Sequence, residues 1–168
     1  MIDATVHELQ PDTLLLQQAI ELAVENASGG QLPFGALVVR DGRILGTGVN
    51  STLRDHDPTA HAEVAAIRNA CRDLRTLALS GAMLVSSCEP CALCHAAAVS
   101  AGILRVVYAA PKELAIEMFD APQTPQAALL AEMQHSLRLL APEQIVHLPI
   151  ESARQPFERF AIKAGRST

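Results

Sequence analysis

Apolar residues recur at helical spacing near the start of the chain. Between Asp12 and about Ala27 the apolar positions fall three and four residues apart, at Leu15, Leu16, Ala19, Ile20, Ala23 and Val24. This spacing places them on one face of a helix, and Gly29-Gly30 is a stop signal. The pattern therefore predicts an opening amphipathic helix.

The next apolar runs have the short length and residue types of strands. Ala36 to Arg40 and Arg43 to Val49 are joined by Asp41-Gly42, which predicts an antiparallel hairpin. Asp57-Pro58 then offers an N-cap and a proline at the first helical position, so a helix is expected from about Pro58 to Arg72.

The rest of the chain alternates strands with helices. We expect strands at 82–87 and 103–109, a helix from Pro90 to Gly102 between them, a helix at about 124–140, an apolar run at 145–150 and a closing helix at 156–163. Such alternation predicts an α/β fold with helices on both faces of a sheet. No linker rich in Gly, Ser or Pro divides the chain, so one domain over 1–168 is expected.

Composition narrows the choice of function. A chain of 168 residues that is 49% hydrophobic can bury about 70% of its unfolded surface without disulfides. Its apolar stretches fall short of the roughly 20 residues that span a bilayer, and Met1 to Gln10 does not resemble a signal peptide. We expect a cytoplasmic protein with no membrane association. With 18 acidic and 13 basic residues, broad binding to nucleic acid is disfavoured.

Three of the four cysteines lie within seven residues, at Cys88, Cys91 and Cys94. In a reducing compartment such spacing is typical of metal binding or redox chemistry. Cys71 lies apart and is expected to be a buried small hydrophobe.

Two short segments together can build a zinc site. Cys91 and Cys94 share a face of a first helical turn, and His61 supplies a third ligand. Three protein ligands leave one position for water, whose pKa zinc lowers to about 7. Glu63 then serves as the proton carrier. Because helical positions i and i+2 point apart, we expect His61 to lie in a frayed first turn. The alternative is a closed structural site in which Cys88 is the fourth ligand.

The pattern His61-Ala62-Glu63 followed by Pro90-Cys91-Ala92-Leu93-Cys94 is the signature of zinc nucleobase deaminases. With Pro33 to Ala36, Asn50, Asp57-Pro58-Thr59-Ala60 and Ser87-Cys88-Glu89, it resembles the cytidine deaminase superfamily over about Leu14 to Asp120. The resemblance is to its guanine deaminases and tRNA adenosine deaminases. It implies a three-layer α/β/α sandwich with a mixed central sheet of about five strands, and a homodimer with one zinc ion per subunit.

The resemblance also implies roles for individual residues. Zinc is held by His61, Cys91 and Cys94, and Glu63 is the proton shuttle. The substrate-binding residues are Phe34, which stacks on a planar base, Asn50, which hydrogen-bonds its ring, Ala62, and Cys91, whose backbone N–H contacts the attacking oxygen. Without the resemblance, Asn50 is a turn residue and Phe34 a core residue.

The motif variants favour guanine as substrate, giving xanthine and ammonia. Ser-Cys-Glu-Pro-Cys and Pro-Phe-Gly resemble guanine deaminases more than tRNA deaminases. These enzymes often carry Phe-Asp-Asp, where this chain has Phe119-Asp120-Ala121. Asp120 is therefore a candidate for the second proton shuttle, with Glu117 and Glu113 as substitutes. The alternative is that Asp120 is an ordinary loop acid or cap.

This chain departs from the guanine deaminases at the C-terminal tail, where those enzymes carry an aromatic residue that closes the pocket. The only tyrosine is Tyr108, so Phe157 or Phe160 would have to replace the C-terminal aromatic residue. Three alternatives stay open. The enzyme could deaminate cytosine or a triazine, it could be a tRNA adenosine (wobble position) deaminase, or the protein could be a non-catalytic zinc-stabilised binding module. The stripe Leu129, Leu130, Met133, Leu137 and Leu140 predicts core or a subunit contact.

Overall fold

The structure, a computed structural model, describes residues 11–119, 124–140 and 144–165. Its strands are β1 (Gly35–Arg40), β2 (Arg43–Val49), β3 (Met83–Cys88), β4 (Arg105–Ala110) and β5 (Ile145–His147), in the sheet order β2-β1-β3-β4-β5. β1 is antiparallel to β2 and β3, whereas β3, β4 and β5 are parallel. The predicted mixed five-stranded sheet is confirmed.

Helices cover both faces of this sheet. They are α1 (Pro11–Ser28), α2 (Thr52–Asp55), α3 (Ala62–Leu74), α4 (Ala92–Ser100), α5 (Lys112–Phe119), α6 (Pro125–Leu140) and α7 (Gln155–Lys163), with a 3₁₀ turn at Glu151–Arg154. None of these described helices has the length and apolar content needed to cross a bilayer.

The alternation of side chains along β3 separates two cores. Val85 faces a cluster that includes Leu16 of α1 and Phe157 of α7. Leu84 faces a second cluster that includes Ala66 of α3 and Ala98 of α4. Because successive strand residues point to opposite faces, one strand supplies both cores, and the α/β/α layering follows.

Two glycines let α3 lie unusually close to β2. A Cβ atom on Gly48 would lie 2.2 Å from the backbone oxygen of Ala62, and one on Gly46 would lie 2.6 Å from that of Ala66. Only residues without a side chain allow this approach. It sets the depth of the first turn of α3, which carries Glu63 and follows His61.

Two helices begin later than the sequence predicts. The helix expected from Pro58 begins at Ala62, because the Asp57 side chain stabilises a separate turn. The backbone N–H and the hydroxyl of Thr59 donate to Asp57 Oδ1 at 2.8 and 2.7 Å, which is the local competition that aspartate offers against helix. The helix expected from Pro90 begins at Ala92. The short helices α2 and α5 were not predicted from the sequence.

Candidate active site at two helix starts

His61 is the N-cap of α3 and has extended backbone, with φ −76° and ψ 153°. It therefore lies outside the helix, and the rule that separates positions i and i+2 does not apply to His61 and Glu63. Its Nδ1 atom lies 3.4 Å from Cys94 Sγ, and Glu63 Oε2 lies 3.3 Å from the same sulfur. Both side chains thus reach one point.

Cys91 occupies the equivalent position at the start of α4. It is an N-cap with φ −77° and ψ 176°, and it directly follows the turn after β3. Its Sγ lies 3.7 Å from Cys94 Sγ and 3.5 Å from His61 Nδ1. Two helix N-termini, whose unpaired N–H groups favour negative charge, therefore meet at this cluster.

The spacing of these three atoms fits a tetrahedral zinc ion. Zinc binds sulfur at about 2.3 Å and imidazole nitrogen at about 2.0 to 2.1 Å, so tetrahedral angles require S–S and S–N separations of roughly 3.8 and 3.5 Å. The distances within the cluster are 3.7 Å between the sulfurs and 3.4 and 3.5 Å from sulfur to nitrogen. Two thiols and one imidazole are also the donor types that zinc prefers.

The residues around Cys91 stabilise the deprotonated form of its thiol. Its hydrogen bond with Cys94, followed by that with His61, lowers the pKa of Cys91 to about 4 against the opposing effect of burial. The same hydrogen bond and burial raise the pKa of Cys94. Cys94 therefore retains its thiol proton, which a bound metal cation would displace.

Glu63 is a buried acid beside the cluster rather than a member of it. Its side chain is 6% exposed, and burial raises its pKa despite a hydrogen bond from its own backbone N–H. A carboxyl group with a raised pKa can both accept and return a proton, as general acid–base catalysis requires.

Cys88 does not join the ligand set. Among the described residues, the mutually close ligand atoms are those of His61, Cys91 and Cys94. Cys88 is 4% exposed at the end of β3, where burial raises the pKa of its thiol. The alternative of a closed site with Cys88 as fourth ligand is therefore contradicted. Cys71, expected to be buried, is half-buried.

A cavity of about 290 Å³ adjoins Cys91 and Cys88. Its walls come from the Phe34 segment, the start of α4, α5 and α6, and include Phe34, Glu89, Ala92, Lys112, Ile116, Leu130 and Gln134. Phe34 and Cys91 thus share a cavity wall, whereas Asn50 and Ala62 are not among the residues that line this cavity. The walls are mostly apolar, as in sites for flat aromatic ligands.

Phe34 is half-buried and belongs to an aromatic cluster as well as to the cavity wall. Its ring meets Phe119 and Phe157 edge-on, with centroids 6.1 and 5.9 Å apart. Phe157 is 1% exposed and lies in the core, so it does not close the described cavity. Phe160 packs on Phe119 at 5.5 Å.

Asn50 is 3% exposed, and its side-chain oxygen already accepts hydrogen bonds. The backbone N–H and hydroxyl of Thr52 donate to Asn50 Oδ1 at 3.1 and 2.8 Å, so Asn50 forms the turn that starts α2. Asn26, whose role was not predicted from the sequence, donates to the backbone oxygens of Asn50 and Leu32 at 2.8 Å each. Ala62 is fully buried against the sheet.

The second proton shuttle is not located. Asp120 lies outside the described residues, and its two substitutes, Glu113 and Glu117, are exposed on α5. That assignment stays a prediction.

A buried polar cluster behind the cavity was also missed. The Glu89 side chain is fully buried and accepts hydrogen bonds from Arg138 and, at 3.2 Å, from Gln134 Nε2. Gln134 Nε2 also donates to the backbone oxygen of Pro90 at 2.8 Å. This cluster ties α6 to the segment that precedes Cys91. The signal for this cluster in the sequence was Glu89, which lies within the cysteine motif, because a charged residue that is buried there needs a partner.

Comparison with known proteins identifies the family. Residues 9–110 match the model described as the cytidine and deoxycytidylate deaminase zinc-binding region. The chain belongs to this family. The predicted superfamily is thereby confirmed, and zinc, the metal of that region, fits the ligand set found here.

The chain is similar to deaminases of two kinds. The chain is 46% identical over 96 residues to a guanine deaminase of Bacillus subtilis (strain 168), covering 56% of this chain and 62% of that protein. It is 38% identical over 99 residues to a tRNA-specific adenosine deaminase of Buchnera aphidicola subsp. Baizongia pistaciae (strain Bp), covering 59% and 61%. The chain therefore spans about three fifths of the length of these curated relatives.

A solved structure supports the same placement. The X-ray structure of guanine deaminase from Bacillus subtilis superposes with a TM-score of 0.57 at 34% identity, covering 75% of this chain and 93% of that chain. The fold of the family therefore extends beyond the matched zinc-binding region.

Proposed function

We propose that this protein is a zinc-dependent hydrolytic deaminase of a free amino-bearing purine base, with guanine as substrate and xanthine and ammonia as products. The observation that carries the proposal is the cluster of His61, Cys91 and Cys94 with the non-ligand carboxylate of Glu63 3.3 Å from the Cys94 sulfur. A structural zinc site has no need of that buried acid. The similarity to guanine deaminase supports the choice of base.

The roles of the residues follow from the reaction. Zinc, held by the two thiolates and the imidazole, supplies an activated water when bound. Glu63 takes a proton from the attacking water and delivers it to a ring nitrogen. The water oxygen adds to the carbon that bears the exocyclic amine, and the bond from that carbon to the amine breaks. The second proton of the attacking water passes from the added hydroxyl through Glu63 to the amine nitrogen, which departs as ammonia while the new C=O bond forms.

Three residues hold the base, and a fourth contacts the attacking oxygen. The Phe34 ring stacks on it, since it already forms a wall of the cavity. Because Asn50 Oδ1 is engaged with Thr52, we assign the substrate hydrogen bond to the Asn50 amide N–H₂ group. The Cys91 backbone N–H contacts the attacking oxygen, and Ala62 contacts the base through its backbone at the start of α3. Asp120 is the proposed second proton shuttle.

The tRNA adenosine deaminase alternative rests on the second relative. Against it stands the net charge of −5, because tRNA binding draws on clustered Lys and Arg that release counterions. Cytosine and triazines remain within the same chemistry, because each carries an amine on a ring carbon.

The test is a substrate panel. Zinc-loaded protein is incubated separately with guanine, adenine, 2,6-diaminopurine, cytosine, a triazine and a tRNA with adenosine at the wobble position, and ammonia or inosine is measured. Ammonia and xanthine from guanine at the highest kcat/KM are expected. Inosine in tRNA without turnover of any free base would favour the alternative, and no turnover at all would favour the binding module.

We also propose that the protein is a cytoplasmic homodimer. Three residues of the apolar stripe on α6, Leu129, Leu130 and Met133, are each 46–58% exposed, and Val99 of the neighbouring α4 is 58% exposed. A second copy of the chain would cover this face. The four cysteines are free, which suits a reducing compartment. Light scattering at micromolar concentration should give a dimer mass, and Leu130→Lys should give a monomer.

A further inference from the structure

Ser86 contacts the proposed proton shuttle from the sheet. Its Oγ atom lies 3.1 Å from Glu63 Oε1 and donates a hydrogen bond to it. Ser86 is on β3 and is 1% exposed, and Glu63 is 6% exposed. The contact therefore joins two buried polar side chains from different elements, 23 residues apart in the chain.

The surroundings of Ser86 are mostly apolar. Its partners in the two neighbouring strands are Ala36 of β1 and Tyr108 of β4, and Ala36, Leu84 and Ala62 all belong to the core cluster beneath α3 and α4. A hydroxyl group buried among apolar side chains is unfavourable unless it is hydrogen-bonded. The contact with Glu63 satisfies it.

Metal binding would leave Glu63 with the Ser86 hydrogen bond but without the one from Cys94. Glu63 Oε2 accepts a hydrogen bond from Cys94 Sγ at 3.3 Å. A cysteine that binds zinc has lost its thiol proton, so Cys94 can no longer donate. The Ser86 hydroxyl is unaffected, because it lies on the other carboxylate oxygen.

From these contacts we infer that Ser86 is a positioning residue for Glu63. Its hydrogen bond to Oε1 fixes the rotation of the carboxylate, so that Oε2 stays directed at the metal cluster. This inference rests on the proposed function, because a fixed carboxylate matters only if Glu63 transfers protons.

The neighbouring serine provides a matched control. Ser87 is also 1% exposed on β3, but its Oγ accepts a hydrogen bond from the Gly35 backbone N–H at 3.1 Å. Ser86→Ala and Ser87→Ala therefore remove the same atom from the same strand at the same burial. They differ in whether the lost hydrogen bond reached Glu63.

The experiment compares Ser86→Ala, Ser86→Thr and Ser87→Ala with the unmodified protein. For each, zinc content, melting temperature, kcat and KM on guanine, and a crystal structure of the zinc-loaded protein are determined. Ser86→Ala should lower kcat about 10-fold to 100-fold, with KM and zinc content unchanged and the Glu63 carboxylate rotated. Ser86→Thr should restore most of kcat, because it keeps the hydroxyl, and Ser87→Ala should change kcat less than threefold.

Two results would overturn the inference. One is an equal kcat for Ser86→Ala and Ser87→Ala, and the other is a Glu63 carboxylate that keeps its orientation in Ser86→Ala. If the unmodified protein deaminates no substrate, the proposed function fails instead. The orientation of Glu63 in the crystal then decides the role of Ser86 independently.

Discussion

His61 Nδ1 lies 3.4 Å from Cys94 Sγ, although 33 residues separate them in the chain. The contact exists because α3 and α4 both start at the same edge of the sheet, each with its N-cap residue in extended conformation. The three ligand residues therefore come from two N-caps and one first turn: His61 and Cys91 are the N-caps, and Cys94 lies in the first turn of α4.

Removal of a ligand should abolish stoichiometric zinc binding. We expect Cys91→Ser and Cys94→Ser to hold far less than one zinc per chain by elemental analysis, because hydroxyl groups are poor zinc ligands. Cys88→Ala is the matched control, since its thiol lies outside the cluster, and it should keep its zinc. Loss of zinc in Cys88→Ala to the same extent would restore the closed-site alternative.

Metal removal should destabilise the whole fold. A ligand that binds only the folded state adds about 4 kcal/mol at a thousandfold excess over its Kd, so chelation should lower the melting temperature measured by calorimetry. Zinc should restore it and magnesium should not, because magnesium prefers oxygen ligands. A melting temperature that is the same with and without the chelator would contradict a tightly bound metal.

Glu63→Gln should separate catalysis from metal binding. The amide keeps the shape of the side chain but cannot accept and return a proton, so kcat should fall by about 10² to 10⁴. Zinc content should match that of the unmodified protein, because Glu63 lies outside the ligand set. A Glu63→Gln variant that retains full kcat would remove the shuttle role.

Gly48→Ala should disturb the metal centre from a distance. The new Cβ would lie 2.2 Å from the Ala62 backbone oxygen, so the start of α3 must move away from β2. Such overpacking costs about 1 to 3 kcal/mol, and zinc affinity should fall with it.

Gly42→Ala is the control for Gly48→Ala. It has a positive φ of 72° but no atom within 4 Å of the new Cβ, and should cost about 1 kcal/mol through backbone strain alone. Its zinc affinity should be normal. Equal zinc affinity in the two variants, measured by competition with a chelating dye, would count against the role of close packing.

Arg138→Met should leave the buried Glu89 carboxylate without its cation. Breaking a buried pair costs about 3 to 5 kcal/mol, but the Arg138 side chain is 39% exposed. Solvent screening reduces the expected loss to about 1 to 3 kcal/mol, readable by urea unfolding. Arg138→Lys keeps the charge and should lose less. A loss no greater for methionine than for lysine would show that the charge contributes little.

The sequence predicted most of the fold because its local signals agree with the tertiary structure. The hairpin at Asp41-Gly42 is a clear example, since turn chemistry and alternation point the same way. The helix start at Pro58 was wrong because the Asp57 side chain satisfies Thr59 instead of a helical N–H group. Local pattern cannot tell which of these two hydrogen bonds a capping residue makes.

The ligand residues were predictable, but their supports were not. His61, Cys91 and Cys94 stand in motifs whose spacing reports their chemistry. Ser86 and Glu89 act through partners that lie 23 and 45 to 49 residues away, and only the packing of helices on the sheet brings them together. The part of the cavity wall that α5 and α6 form could not be predicted for the same reason.

The proposed function requires an open zinc site with two sulfur ligands and one nitrogen ligand from the protein. X-ray absorption at the zinc edge of the purified protein tests it most directly. We predict two sulfur scatterers at about 2.3 Å and two light scatterers near 2.0 Å, one of them the His61 imidazole. Three or four sulfur scatterers, or a protein that contains no zinc after growth with the metal, would contradict the account.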